Sequence, residues 1–165
     1  DLVDTLKRME HDGYHFEVAD ASLELLMRRA TGWEQRWFEV ESFRVITDDD
    51  DPFRTRGVTT EATIKVHVDG ERVIATAEGN GPVNALDSAL RSALGDRHPA
   101  LAAVHLTDYK VRVLDTEKGT GAVTRVLIDS TNGERSWSTI GVAANVIQAS
   151  WQALFDSIVY GLLHS

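Results

Sequence analysis

The residues best suited to recognising a ligand are Gly79, Asn80, Gly81, Pro82 and Val83, read together with the run Asn84-Ala85-Leu86-Asp87-Ser88-Ala89-Leu90 that follows. The glycines and the proline predict a strand that feeds directly into a helix. Pro82 falls in the helix's first turn, and Val83, Leu86, Leu90 and Ala93 recur on one face. Backbone amides at a helix start have no partner within the helix and attract a carboxylate or phosphate. The same residues also suit a plain strand-to-helix turn in which glycine serves only the backbone geometry. No third glycine completes a dinucleotide fingerprint and no Lys-Ser/Thr pair follows to make a P-loop, which speaks against a nucleotide.

Elsewhere the chain offers little for catalysis. It has no cysteine, so thiolate nucleophiles, disulfides and Cys-type zinc sites are excluded, and the composition is compatible with a reducing cytoplasm. Of the histidines at positions 11, 15, 67, 98, 105 and 164, only His11 and His15 have a metal-compatible helical spacing, and Gly13 between them predicts a loop. The serines show no nucleophile elbow. Glu39 and Glu41 read as exposed, and the acidic run Asp48 to Asp51 lacks the spacing and glycine of a calcium loop. No catalytic residue and no metal site are expected.

An excess of 26 acidic over 17 basic residues, without a basic stripe, disfavours nucleic acid as a partner. No apolar run approaches the roughly 18 residues of a membrane span, so no membrane is expected. Leu2, Val3, Leu6 and Met9 stand in helical register from the first residues, with neither an initiator Met nor a signal-peptide pattern. The chain therefore reads as a piece of a larger protein.

The elements that must position the turn follow from periodicity. Residues 1 to 11 predict a helix ending at Gly13, and Asp20 with Glu24 predicts a capped second helix that runs to Ala30 before Gly32. Strand spacing then takes over from Trp37 to Ile46. After a loop marked by Pro52 and Gly57, Ala62, Ile64, Val66 and Val68 share a face, Asp69-Gly70 is a hairpin turn, and Val73, Ala75 and Ala77 return. This grammar repeats: Leu106 to Leu114, a turn at Gly119 to Gly121, Ala122 to Asp129, a hairpin turn at Asn132-Gly133, Arg135 to Ile140, and a helix from Asn145 to Leu163. Ala149, Ala153 and Leu154 match Ala85, Ala89 and Leu90 at one constant offset. The predicted fold is α+β: two tandem β-β-β-α units related by a pseudo-twofold, with helices packed on a sheet. A helical linker subdomain (1–35) precedes the main domain (36–165). The last helix carries Asp156 as its only charge, an apolar arc wider than one packing face, which predicts a homodimer.

These features resemble the C-terminal allosteric domain of the 2-isopropylmalate synthase and citramalate synthase family. The resemblance rests on the Gly79-Asn80-Gly81-Pro82-Val83 turn with its helix, on Asp108-Tyr109 and the strand through Leu114, and on Gly119-Thr120-Gly121-Ala122, Arg125-Val126 and Ala149 to Leu154. The leader residues Glu10, Gly13, Tyr14, Phe16, Glu17, Ala19, Ala21 and Ser22 are similar to the linker of the citramalate synthase branch. The resemblance implies an enzyme that condenses acetyl-CoA with a 2-oxo acid using a divalent metal in an N-terminal (β/α)8 barrel, which residues 1–165 do not include. This piece is then inactive alone and needs no cofactor. It is implied to be the feedback sensor, a dimer that binds isoleucine in the citramalate branch or leucine in the other, with a dimerisation module lacking an effector as the alternative. By the family's pattern, Gly79, Asn80, Gly81, Pro82 and Val83 supply the turn, Leu106 and Tyr109 the facing strand, and Ala122 the neighbouring loop. Tyr109 also suits a plain core position.

Overall fold

A computed structural model describes residues 1–48, 59–114 and 121–165; the acidic run beyond Asp48 and the Gly119-Thr120 part of the second turn lie outside them. The chain divides into two compact units, residues 35–99 and residues 1–34 with 100–165. The β-β-β-α repeat is present in each.

In the first unit β1 (Glu39–Asp48), β2 (Thr59–Val68) and β3 (Glu71–Gly79) form an antiparallel sheet in sequence order. Asp69 and Gly70 both take positive φ, 52° and 75°, the geometry whose twist matches a two-residue hairpin. Ala62, Ile64, Val66 and Val68 are buried beneath α3 (Pro82–Leu94), which contributes Val83, Leu86, Leu90 and Ala93, the face that helical spacing predicts.

The second unit repeats this with β4 (His105–Leu114), β5 (Val123–Thr131), β6 (Ser136–Ala143) and α4 (Val146–Leu163). Even an irregularity recurs: β1 slips register against β2 between Val40 and Ser42, and β4 slips against β5 between Leu106 and Asp108. The second hairpin is looser than the first. Thr131 pairs with Ser136, and Asn132 holds the intervening loop by accepting from the amides of Glu134 and Arg135.

The leader does not stand apart. Helix α1 (Leu2–His11), a 3-10 turn (Phe16–Val18) and α2 (Asp20–Ala30) pack onto the second repeat, where Phe16 and Ala19 share a core with Ile140 and Val142. Asp20 does not cap α2, as the sequence suggests; Ala19 occupies that position and Asp20 Oδ1 accepts from the amide of Ser138 at 3.0 Å. Alternate amides of edge strand β6 are treated alike. Ile140 N donates to Ser22 Oγ and Val142 N to Gln152 Oε1, both at 3.0 Å. An edge strand with unpaired amides invites pairing with another chain, and these side chains close it.

This packing changes the meaning of the apolar arc on α4. One side lies on β5 and β6, and α2 covers more of it, with Ser22 Oγ and Arg29 Nη2 each 2.9 Å from the Asp156 carboxylate. The arc is wide because two partners within the chain share it, so it is no argument for a dimer. A stripe of apolar surface is left open on β4 instead. Tyr109, Val111 and Val113 pair with Ile128, Val126 and Thr124 and so share the face that α4 covers on β5, yet they remain 40, 44 and 51% exposed.

Two outcomes are expected. A Cβ at Gly141 would stand 1.9 Å from the carbonyl oxygen of Ala149 on α4, so Gly141→Ala should cost about 1–3 kcal/mol in denaturant unfolding; an unchanged midpoint would contradict this packing. Burial pushes the Asp156 carboxyl above its ordinary value of 3.8, against the pull of Arg29 and Ser22. The folded state therefore binds this proton more tightly, and the residue's contribution to stability is lost as pH rises from 3.8 through the folded value. The stability of the parent relative to Asp156→Asn should fall with rising pH across that window; a constant or rising difference would sink the assignment.

Candidate functional site

The start of α3 is built by a close contact and an omission. Strand β3 ends at Gly79, where a Cβ would lie 2.5 Å from Asn84 Oδ1 and 2.6 Å from the Ala85 nitrogen. Only glycine lets the strand end this near its own helix. Asn80 N donates to Asn84 Oδ1 at 3.2 Å, and Ala85 N donates to the carbonyl of Gly81 at 3.0 Å. Gly81 is the N-cap, with extended backbone (φ −176°) that any residue adopts and nothing within 4 Å of where a Cβ would be. It carries no side chain to cap the helix, and Pro82 at the first helical position has no amide hydrogen. The amides of Val83 and Asn84, the second and third of the helix, are left uncapped by any side chain.

The second repeat provides an internal comparison. Asn145 stands at the equivalent N-cap of α4, and its Oδ1 accepts from the amides of Ile147 at 2.8 Å and Gln148 at 3.2 Å. One helix start is thus satisfied by its own side chain. The other presents the same pair of donors with an open space where that side chain would be. Of the two glycines in the predicted ligand-recognising turn, Gly81 faces open space, whereas the space at Gly79 is filled by the helix itself.

The remaining predicted residues lie in the other unit. Leu106 is half-buried on β4 opposite Ser130, and Ala122 is buried just before β5. Tyr109 is not a core residue, since its ring is part-exposed, but its hydroxyl is anchored. Ser150 Oγ donates to the carbonyl of Val146 at 2.7 Å, so the 3.0 Å contact between the two hydroxyls has Tyr109 as donor.

Other chemistry-bearing residues are engaged structurally. Glu41, at the β1 register slip, accepts two bonds from Arg72 at 2.8 and 3.0 Å and one contact from His67. The Arg72 guanidinium, helped by His67, holds its carboxyl at about 2, ionised and unfit for proton transfer near neutrality. Among the described residues no group of three or more His, Asp or Glu side chains is placed to hold a metal ion, and no helix is long and apolar enough to cross a membrane. Sequence reasoning missed one polar cluster, formed by Tyr14, Ser22, Arg29, Gln152 and Asp156 around a cavity between the leader and α4. Its available signal was a lone carboxylate in an otherwise apolar helix.

Comparison with known proteins identifies the family. The model of the LeuA allosteric (dimerisation) domain matches residues 17–162. The chain is 53% identical over 166 residues to the (R)-citramalate synthase of Streptomyces coelicolor, covering 99% of this chain and 30% of that protein. It is 50% identical to the (R)-citramalate synthase of a Synechocystis strain, with 98% and 30% covered. The 2-isopropylmalate synthase of Shewanella woodyi is more distant, 33% identical over 84% of this chain and 24% of its own length. The chain thus spans about 30% of the length of the citramalate synthases it matches. By the match over residues 17–162 and these relatives, the chain belongs to the LeuA allosteric (dimerisation) domain family.

Proposed function

We propose that this domain is the feedback sensor of a citramalate synthase-type enzyme, one that condenses acetyl-CoA with a 2-oxo acid, and that its effector is a branched-chain amino acid, isoleucine before leucine. The observation that carries the reading is the uncapped start of α3 beside its capped counterpart in α4. Two adjacent amides at the positive end of a helix of 13 residues suit a carboxylate, and Gly81 leaves room for one. The preference for isoleucine is supported by the higher identity to citramalate synthases than to 2-isopropylmalate synthases.

Condensation, with its divalent metal, is assigned to the part of the parent enzyme that this chain does not span, and the parent is taken to be cytoplasmic. The chain alone should show no turnover of acetyl-CoA with pyruvate. Effector site and catalytic site are then linked only by a coupling free energy between states of the whole enzyme. The domain is proposed to work as a homodimer, for which the open apolar stripe Tyr109, Val111 and Val113 on β4 offers a surface.

Gly81→Asp tests the reading most sharply. An Asp N-cap would turn its own carboxylate onto the amides of Val83 and Asn84, as Asn145 does in the other repeat, and would repel a ligand carboxylate. The variant should unfold at the same or a slightly higher denaturant midpoint, by a few tenths of a kcal/mol. Its isoleucine affinity at the turn, read from the Val83 and Asn84 amide resonances, should fall at least tenfold, since a hydrogen bond to a charged group contributes about 1.5–3 kcal/mol. Unaltered affinity in a folded Gly81→Asp protein would place the effector elsewhere. For assembly, sedimentation should give a dimer for the parent and a folded monomer for Val111→Lys; a monomeric parent at micromolar concentration would remove that part of the proposal.

A further inference from the structure

A second ligand site is suggested by the cavity of about 260 Å3 that lies wholly within the unit formed by residues 1–34 and 100–165. Its apolar walls are Phe16 and Leu26 from the leader and Trp151 and Phe155 from α4, the last two with rings 5.9 Å apart. At its border stand two opposite charges. Asp156, with 13% of its side chain exposed, accepts from Ser22 Oγ and from Arg29 Nη2, each at 2.9 Å. Arg29 meets it with a single nitrogen and is 38% exposed, so the rest of its planar fork of donors remains to be used. Gln152 spends its carbonyl oxygen on Tyr14 Oη and the Val142 amide, at 2.8 and 3.0 Å, and can offer the cavity only its amide N–H2.

An apolar pocket with an acid and a base side by side at its border is complementary to a small zwitterion with an apolar body. We propose that this cavity binds a free α-amino acid with an apolar side chain, its carboxylate on Arg29, its ammonium toward Asp156, and its side chain among Phe16, Leu26, Trp151 and Phe155. The volume fits one such molecule and lies below the ≈ 300–1,000 Å3 usual for drug-sized ligands. A cation here also offsets a real cost, because burial disfavours the ionised Asp156 carboxyl. The site is separate from the Gly79 to Val83 turn and stands whether or not that turn binds an effector. The leader helix supplies Arg29 and one wall, so occupancy would tie α2 to α4 and steady the side chains that close the edge of β6.

The test uses the 165-residue chain carrying Gly81→Asp, so that the turn makes no contribution. L-isoleucine, L-leucine and L-phenylalanine are titrated while the indole N–H resonance of Trp151, assigned by loss in Trp151→Phe, is followed by NMR. At least one amino acid should move that resonance saturably. The same amino acid as its N-acetyl amide, which has neither charge, should leave it unmoved, and Arg29→Gln should weaken the response at least tenfold. No response to any of the three, or an equal response to the uncharged derivative, would overturn the proposal. The derivative is applied to the unaltered site, so a folding defect in Arg29→Gln cannot hide the answer. Loss of isoleucine binding at the turn would leave this outcome unaffected.

Discussion

Each repeat depends on an alanine near the start of its helix pressed against a glycine in the strand that feeds it. Ala85 meets Gly79 and Ala149 meets Gly141 so closely that no Cβ would fit at either glycine. Interiors at this density have no slack, and the contact fixes where the helix begins relative to its strand. Seating each helix over the second and third strands also decides what stays open. The first strand of each sheet keeps its helix-side face partly uncovered, as Tyr109, Val111 and Val113 show on β4.

On the same frame the two repeats differ in what they do with a helix start. In α4 the orphan amides are occupied by Asn145, and the helix is buried between its sheet and the leader. In α3 a glycine stands at the same place, backed by a proline, and the donors are presented rather than satisfied. Gly81 has neither a positive φ nor a crowded Cβ to explain it, whereas Gly79 and Gly141 are explained by packing alone. A glycine that geometry does not demand is the one we propose to connect with a ligand.

Much of this was legible in the sequence because it is local. Alternation placed Ala62, Ile64, Val66 and Val68 on one face, Asp69-Gly70 marked a tight hairpin, and the matched alanines revealed the repeat. What was not legible depends on residues far apart in the chain. Asp20 has the type and position of a helix cap, yet Ser138 takes its carboxylate across more than a hundred residues. The breadth of the apolar arc on α4 gave no hint of whether another chain or the chain's own leader covers it. Alternation on β4 is the same for a covered and an uncovered strand, so the exposure of Tyr109 had to come from the position of α4. At the candidate site the Gly79 to Val83 turn was visible, but which glycine served packing and which left space was not.

The central claim is that α3 reads a carboxylate with the amides that α4 caps for itself. Backbone amide shifts of the parent chain under isoleucine titration test it directly, because the two helix starts report side by side. The Val83 and Asn84 resonances should move saturably while Ile147 and Gln148, held by Asn145, stay in place. Saturable binding that leaves Val83 and Asn84 unmoved would contradict the account.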